Sequence, residues 1–177
     1  MTRPALIVVS GPPGSGKTQL AHAVAAAIGC PAICRDEIKE GMVHARGGSF
    51  RAAAGDELTM RASPLFFRVI RLLLESEVTI VAEAAFQDRA WRGGLEPLLP
   101  LATLRVIQCV VADDLARERR VRRMADATRA AHADEESLRL PPARFERVSL
   151  AVPTLSVDTT DGYAPDLATI VTFARGA

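Results

Sequence analysis

The stretch from residue 5 to residue 18 constrains the fold of this chain of 177 residues more than any other part of it. It begins with a short apolar run, which predicts a buried parallel strand. The sequence Gly-Pro-Pro-Gly-Ser-Gly-Lys-Thr follows at residues 11–18 and fits the pattern G-x-x-x-x-G-K-[S/T] at every fixed position. Leu20, Val24 and Ile28 then recur at helical spacing. The sequence therefore predicts a strand, a glycine-rich loop and a helix in that order.

This loop has the chemistry needed to hold a nucleoside triphosphate. Glycine lets successive backbone N–H groups point at a phosphate, and a helix beginning near Gly16 adds the positive end of its dipole. Lys17 can reach the β- and γ-phosphates, and the Thr18 hydroxyl can bind Mg²⁺. Only two of the 22 basic residues are lysines, Lys17 and Lys39, which favours a specific task for the lysine of the loop. The predicted nucleotide contacts in the loop are Gly11, Pro12, Pro13, Gly14, Ser15, Gly16, Lys17 and Thr18.

Composition narrows the class of protein. The net charge is +1, so the chain lacks the general basic field expected of a protein that binds nucleic acid or a membrane surface. No apolar run is long enough to span a bilayer, and the first strand begins close to the N-terminus, which predicts a cytoplasmic protein without a signal peptide. The cysteines form no C-x-x-C pair and the histidines lack metal-ligand spacing, so we interpret both sets as ordinary buried or surface residues. They are Cys30, Cys34, Cys109, His22, His44 and His132.

Strand-like and helix-like segments alternate along the chain, which predicts one α/β domain over residues 1–177 with a parallel sheet between two layers of helices. Strands are predicted at 5–9, 31–34, 78–82, 103–111 and 154–157. Helices are predicted from Gly16 to Gly29 and at 37–45, 56–76, 88–99, 143–149 and 164–174, with a further cationic helix starting after Asp113. We expect Asp36 and Asp113 to cap their helices and Pro64 to interrupt or kink the long one.

Two acidic residues follow predicted strands and should face the edge of the sheet where ligands bind. Asp36 comes directly after the second strand, where a carboxylate could accept a proton from a substrate hydroxyl during attack on the γ-phosphate. Its alternative role is that of a plain N-cap. Glu83 ends the third strand and could hold Mg²⁺ through water or orient the attacking group. The alternative is that Glu83 is an acid at the solvated end of a strand, without a role in catalysis.

Several cations could bind the phosphates or the acceptor. Arg119 and Arg123 are four residues apart, so they share one helix face and could clamp a transferring phosphoryl group, although a solvated basic face is also common. Arg35 and Lys39 flank Asp36 and could bind an anionic part of the acceptor. We expect the acceptor pocket to be built from residues 36–75. Its candidate lining residues are Lys39, Met42, His44, Arg61, Phe66, Phe67 and Arg68.

Taken together, these motifs resemble those of P-loop kinases that act on small molecules or polynucleotide 5′ ends, including chloramphenicol phosphotransferase-like and zeta-toxin-like kinases. Residues 34–39, Cys-Arg-Asp-Glu-Ile-Lys, resemble the segment that carries the base of those kinases, so the resemblance makes Asp36 the base. Glu118-Arg119, with Arg123 one turn later, resembles their arginine-bearing lid, which is expected at about residues 113–141. The segment 157–160 resembles their strand and loop near the adenine, which makes Asp158 a nucleotide contact.

The resemblance implies a three-layer P-loop NTPase fold with a five-stranded parallel sheet in the order 2-3-1-4-5, together with ATP, Mg²⁺ and a moving lid. Polynucleotide kinases of this kind often carry Asp-x-Thr-Asn after the third strand, whereas residues 82–86 here are Ala-Glu-Ala-Ala-Phe. That difference and the near-neutral charge disfavour a nucleic-acid partner without excluding one. The sequence therefore predicts a kinase for a small-molecule hydroxyl. A polynucleotide or nucleoside kinase and a nucleotide-dependent switch or weak ATPase are the alternatives.

Overall fold

A five-stranded parallel sheet forms the centre of the protein in a computed structural model that describes residues 3–46, 50–53, 55–124, 131–132 and 145–176. The strands are β1 (Ala5–Ser10), β2 (Ala32–Cys34), β3 (Ile80–Ala84), β4 (Thr103–Val110) and β5 (Thr154–Asp158). Their order in the sheet is β2-β3-β1-β4-β5, which confirms the order that the resemblance implied. Because every pair is parallel, the carboxyl ends of all five strands lie at the same edge of the sheet.

Helices cover both faces of this sheet, as the alternating pattern predicts. They are α1 (Lys17–Ile28), α2 (Arg35–Arg46), α3 (Glu57–Glu75), α4 (Asp88–Leu95), α5 (Asp113–Arg123) and α6 (Leu167–Arg175), with a 3-10 turn at Glu96–Leu98. Residues of β1 alternate between two apolar layers. Leu6 and Val8 pack with α3 and α4, whereas Ile7 and Val9 pack with α1 and α6. Across the described ranges, no helix is both long enough and apolar enough to cross a lipid bilayer.

The predicted boundaries at three acidic residues are wrong by one or two residues. Asp36 lies inside the first turn of α2 rather than at its N-cap, because β2 passes directly into that helix. Asp113 is the first residue of α5, and Ala112 occupies the N-cap position. Glu83 lies within β3, because the parallel ladder with β1 continues as far as the pair Ser10–Ala84. Each acid nevertheless lies at the carboxyl edge of the sheet.

Two further predictions about helices need correction. The predicted interruption at Pro64 is wrong, because α3 continues through that residue although it donates no backbone hydrogen bond, and it does so while burying a stripe of apolar side chains spaced four residues apart. A helix was expected at 143–149, but the described residues of that range, 145–149, are not helical. There the Glu146 N–H donates to the Gln87 side-chain oxygen at 2.6 Å, and the Ser149 N–H donates to Asp88 Oδ1 at 2.7 Å. These bonds to the start of α4 replace the bonds of a helix.

Four aromatic rings join α3 to α4 beneath the carboxyl edge of the sheet. Phe66, Phe67, Phe86 and Trp91 contact one another mostly edge to face, with ring centroids 5.2–6.0 Å apart. The Trp91 indole N–H also donates to the Ser10 hydroxyl at 2.9 Å, at the end of β1. Phe66 is fully buried in this cluster, so it belongs to the core and not to the surface pocket for which the sequence made it a candidate.

Substituting Gly94 with alanine should lower the thermal stability of the protein. A Cβ atom at this position would lie 2.1 Å from two ring carbons of Phe67, which the packed cluster holds in place. Overpacking of this kind costs about 1–3 kcal/mol, or several degrees in Tm for a chain of this size. Gly93→Ala is the matched control, since nothing lies within 4 Å of its added Cβ and alanine favours the helix. Equal Tm values for the two variants would contradict the contact with Phe67.

Candidate functional site

The loop between β1 and α1 has the backbone shape of an anion site. Gly14 and Gly16 have φ angles of 87° and 71°, in the left-handed region that favours glycine. Gly16 is the N-cap of α1, and none of the described side chains caps the first turn of that helix. The N–H groups of the first turn therefore remain available for a phosphate at the positive end of the helix dipole.

Residues from the far half of the chain hold this loop in position. The Thr159 hydroxyl donates to the Ser15 carbonyl oxygen at 2.8 Å. The Arg119 guanidinium, on α5, donates to the carbonyl oxygens of Thr159 at 2.7 Å and Thr160 at 3.0 Å. Arg119 thus lies against the loop that follows β5 and close to Gly16, as a lid arginine near the phosphates should. The loop, α5 and the end of β5 form one wall of the site.

Substituting Gly14 with alanine should weaken ATP binding as well as stability. The new Cβ would lie 2.3 Å from the carbonyl oxygen of Ala116, a backbone atom of α5, so the helix that carries Arg119 would have to shift. Gly29→Ala is the matched control, because Gly29 has a similar φ of 84° and nothing lies within 4 Å of its added Cβ. The control should lose about 1–2 kcal/mol to backbone strain alone and keep its ATP affinity in calorimetry. Equal ATP affinities would show that α5 does not fix the loop.

Lys17, Thr18 and Glu83 form a compact polar group at the start of α1. The Glu83 side chain is 2% exposed; its Oε1 lies 3.7 Å from Lys17 Nζ, and its Oε2 accepts a hydrogen bond from the Thr18 hydroxyl at 3.1 Å. Burial raises the pKa of the Glu83 carboxyl, and the Lys17 ammonium opposes that rise. Neighbouring oxygen ligands of an octahedral Mg²⁺ ion are about 2.9 Å apart. The 3.1 Å between the Thr18 and Glu83 oxygens is close to that value, so this pair fits the cation that the sequence predicts.

Asp36 lies beside this group, at the start of α2. Its Oδ1 accepts a hydrogen bond from Arg35 Nη1 at 3.0 Å, and the carboxylate is half-buried. Burial acts to raise the pKa of Asp36, but the charges of His132, Lys17 and Arg35 together bring it below its ordinary value. Asp36 is therefore ionised at neutral pH and lies near enough to Lys17, the lysine of the phosphate loop, for their charges to interact. The structure brings together the predicted base and the predicted phosphate ligand.

The two other predicted acceptor-binding cations are already engaged within the fold. Besides its contact with Asp36, Arg35 donates from Nη2 to the Thr59 carbonyl oxygen at 2.9 Å. Lys39 is 2% exposed, with its Nζ 2.7 Å from Asp56 Oδ2 and 5.6 Å from the centroid of the Phe50 ring. Asp56 also caps α3, so this buried pair fixes α2 against α3. Both residues shape the wall below Asp36.

The remaining predicted residues lie on the α5 side of the site. Asp158 ends β5, and its Oδ1 accepts a hydrogen bond from the Thr160 N–H at 2.7 Å. Hydrogen bonds from the Thr160 side chain and then from this N–H lower the pKa of the exposed carboxyl. Arg123 lies one turn beyond Arg119 and donates from Nε to the Arg119 carbonyl oxygen at 3.4 Å. The structure therefore places Arg119, more than Arg123, next to the phosphate loop. The lid expected at about 113–141 includes α5 and residues 131–132, and the rest of it lies outside the described residues.

His132 is a site residue that the sequence interpretation missed. Its side chain is mostly buried, and its Nε2 lies 2.9 Å from Glu40 Oε1, one turn along α2 from Asp36. Among the charges that lower the pKa of Asp36, that of His132 has the largest effect. A lone histidine in a polar, alanine-rich segment gives no signal of this contact, which joins residues 92 positions apart. The structure thus adds a histidine from the predicted lid to the surroundings of Asp36, the predicted base.

Comparisons with known proteins find solved structures that share this fold. A solved structure of a proposed kinase from Chloroflexus aurantiacus is 28% identical, with a TM-score of 0.80 over 99% of this chain and 98% of that one. A gluconokinase from Sinorhizobium meliloti, 21% identical, has a TM-score of 0.54 and covers 98% and 91% of the two chains. The APS kinase of Mycobacterium tuberculosis, solved with AMPPNP and APS, is 15% identical, with a TM-score of 0.65 over 100% of both chains. At these identities the last two show a shared fold.

A search of curated proteins finds no match to the chain. The family model named AAA_33 and described as an AAA domain, in contrast, matches residues 6–148. That range runs from β1 through the phosphate loop, Asp36, Glu83 and α5, so it contains nearly the whole site described above. Because the match spans most of the sequence, this chain belongs to the AAA_33 family of P-loop domains.

Proposed function

We propose that this protein is an ATP-dependent phosphotransferase that moves the γ-phosphoryl group of ATP to a hydroxyl of a small molecule. The observation that supports this function best is the placement of Asp36. An ionised carboxylate lies near enough to the lysine of a phosphate loop for their charges to interact, and a hydroxyl bound between them would have both a base and a phosphorus atom to attack. A protein that only bound nucleotide would have no use for a base at that position.

Each residue of the site has a task in the reaction. The backbone N–H groups of residues 14–18 and the Lys17 ammonium bind the β- and γ-phosphates, and the Thr18 and Glu83 oxygens would hold Mg²⁺. When bound, that ion would neutralise charge on the phosphate oxygens. Asp36 accepts the proton of the substrate hydroxyl while its oxygen forms a bond to the γ-phosphorus. The bond from the γ-phosphorus to the bridging oxygen breaks, and ADP leaves with that oxygen.

The arginines of α5 complete the site from the opposite side. Arg119 is held by two carbonyl oxygens near the loop, so its guanidinium keeps a fixed position beside the bound phosphates. Rotation of the Arg123 side chain toward the transferred group would help to exclude water, which suppresses hydrolysis. The similarity to the Chloroflexus aurantiacus structure and to structures named as gluconokinase and APS kinase supports phosphotransfer as the reaction class.

A screen that reads ADP production tests the proposal. Purified protein with ATP and Mg²⁺ is given sugars, sugar acids, nucleosides and hydroxyl-bearing antibiotics, with a water-only reaction to measure idle hydrolysis. We expect ADP release above that background with at least one acceptor, and a phosphorylated product by mass spectrometry. A labelled 5′-hydroxyl oligonucleotide forms a separate arm, since transfer to it alone would overturn the small-molecule assignment. A thermal-shift assay with no response to any nucleotide would overturn nucleotide binding itself.

A further inference from the structure

Three side chains from three different elements meet at the β2–α2 junction. His22 projects from α1, Cys34 is the last residue of β2, and Glu37 lies in the first turn of α2. Cys34 Sγ lies 3.7 Å from His22 Nε2, and His22 Nε2 lies 2.6 Å from Glu37 Oε1. One donor atom from each residue lies within 4.8 Å of the other two. The sequence interpretation treated the histidine and the cysteine as ordinary residues because their spacing is not that of a metal motif, whereas the fold brings them together.

The three donors differ in kind, and their combination selects a class of cation. An imidazole nitrogen, a thiolate sulfur and a carboxylate oxygen together suit Zn²⁺, whereas Mg²⁺ and Ca²⁺ prefer oxygen alone. We propose that His22, Cys34 and Glu37 form a Zn²⁺ site with a fourth position open to water. These ligands are distinct from the Thr18 and Glu83 oxygens, which suit Mg²⁺, although the Cys34 side chain is also hydrogen-bonded to the Glu83 carboxyl. The proposed zinc ion takes no direct part in the reaction proposed above.

One of the two observed distances is close to the value that the ion would impose, and the other is shorter. In a tetrahedral zinc site with bonds of about 2.3 Å to sulfur and 2.0 Å to nitrogen, those two ligand atoms are roughly 3.5 Å apart. The separation of 3.7 Å between Cys34 Sγ and His22 Nε2 is nearly that value. The carboxylate oxygen must move outward, since a nitrogen and an oxygen on one zinc ion are about 3.3 Å apart. The Glu37 side chain is 45% exposed, so it has room to make this movement.

The charges of the site balance when the ion binds. The Cys34 thiol gives its proton to solvent and the sulfur forms a bond to zinc, while His22 binds through the lone pair of its neutral ring. One thiolate and one carboxylate then neutralise the two positive charges of the ion. This matters because Cys34 is buried and lies opposite Glu83 in the β2–β3 ladder, where an uncompensated thiolate would be costly.

The three ligands come from three elements, so a bound ion would tie α1, β2 and α2 together. Glu37 is the residue after Asp36, and Cys34 lies two residues before it. An ion on these ligands would therefore fix the start of α2 and with it the orientation of the Asp36 carboxylate. Zinc should raise the thermal stability of the protein, because it binds the folded chain and the unfolded chain holds no such arrangement.

Titration of the full chain with Co²⁺ tests the proposal, since cobalt replaces zinc and reports its own ligands. After treatment with a chelator and without nucleotide, the protein should take up one equivalent of Co²⁺ with the visible bands of a tetrahedral site and a near-ultraviolet thiolate charge-transfer band. Zn²⁺ should then displace the cobalt and raise Tm. A titration without the thiolate band would overturn the proposal. Because no nucleotide or acceptor is present, this result does not depend on the proposed phosphotransfer.

Variants show which residues hold the ion. Cys34→Ser and His22→Ala should each weaken Zn²⁺ binding by more than the roughly 10- to 100-fold that the loss of an outer-shell partner costs. Cys30→Ser is the matched control, because Cys30 is a free, half-buried cysteine that is not one of the three proposed ligands, and this variant should keep the full cobalt spectrum. Glu37→Gln changes an exposed side chain and so tests the site without disturbing the core. A thiolate band that persists in Cys34→Ser, or unchanged zinc affinity in Glu37→Gln, would overturn the assignment.

Discussion

Replacing Asp36 with asparagine should lower the turnover of the protein by roughly 10²- to 10⁴-fold, the usual contribution of a general base. The side chain keeps its size and its hydrogen bond from Arg35, so the fold should remain intact. ATP affinity should stay the same or become stronger, because the substitution removes a negative charge near Lys17 and the triphosphate. Single-turnover kinetics on an identified acceptor, together with calorimetry of ATP binding, separates these two effects.

Asp166→Asn is the matched control for this substitution. Asp166 caps α6 by accepting the Thr169 N–H at 2.9 Å, and asparagine caps a helix about as well as aspartate. The control should therefore keep normal stability and turnover. Full turnover in Asp36→Asn would show that another group accepts the proton.

The pH dependence of the wild-type rate follows from the same carboxylate. Because the pKa of Asp36 is lowered from its ordinary value of 3.8, the active, ionised form is lost only as pH falls through a value below 3.8. Between pH 5 and pH 8 Asp36 should therefore contribute no acid limb to the rate of the chemical step. An acid limb in that range that disappears in Asp36→Asn would contradict the direction of this shift.

The parts of the site that depend on local chain geometry could be predicted from the sequence. The phosphate loop needs left-handed glycines and a helix that starts at once, and both requirements are visible within residues 11–18. The sheet order followed from the resemblance to a known fold. Asp36 was expected at the carboxyl edge because any residue after a parallel strand lies there, and an error of one residue in the helix start does not change that edge.

Contacts between distant segments could not be predicted in this way. Lys39 was a candidate for binding the acceptor because it flanks Asp36, but nothing near it in sequence indicates that Asp56 would bury its ammonium. Glu83 was predicted to follow the third strand because the apolar run ends before it. The strand in fact continues through Glu83, whose buried carboxylate is paired with Lys17 and hydrogen-bonded to Thr18. The meeting of His132 with α2 depends likewise on tertiary packing alone.

Replacing Lys17 with methionine should lower both the turnover of the protein and its free energy of unfolding, for different reasons. Loss of a charged donor to the transferred phosphates should lower turnover by roughly 10²- to 10³-fold or more. Loss of the ammonium also leaves the buried Glu83 carboxylate without its cation, and breaking a buried pair in this way costs about 3–5 kcal/mol. Urea unfolding at neutral pH measures the second effect independently of the first.

The double variant Lys17→Met, Glu83→Gln separates the two effects, because a neutral amide at position 83 no longer needs a cation. It should recover most of the lost stability and none of the lost turnover.

In the single variant the raised pKa of Glu83 favours the protonated carboxyl in the folded state, so stability should fall as pH rises from 4.5 through that raised value. The difference in unfolding free energy between the single and double variants should therefore grow with pH and vanish below 4.5. Equal stability of the two variants at neutral pH would show that Glu83 does not depend on Lys17, and the ion pair could not then be the contact that holds the lysine in place for the γ-phosphate.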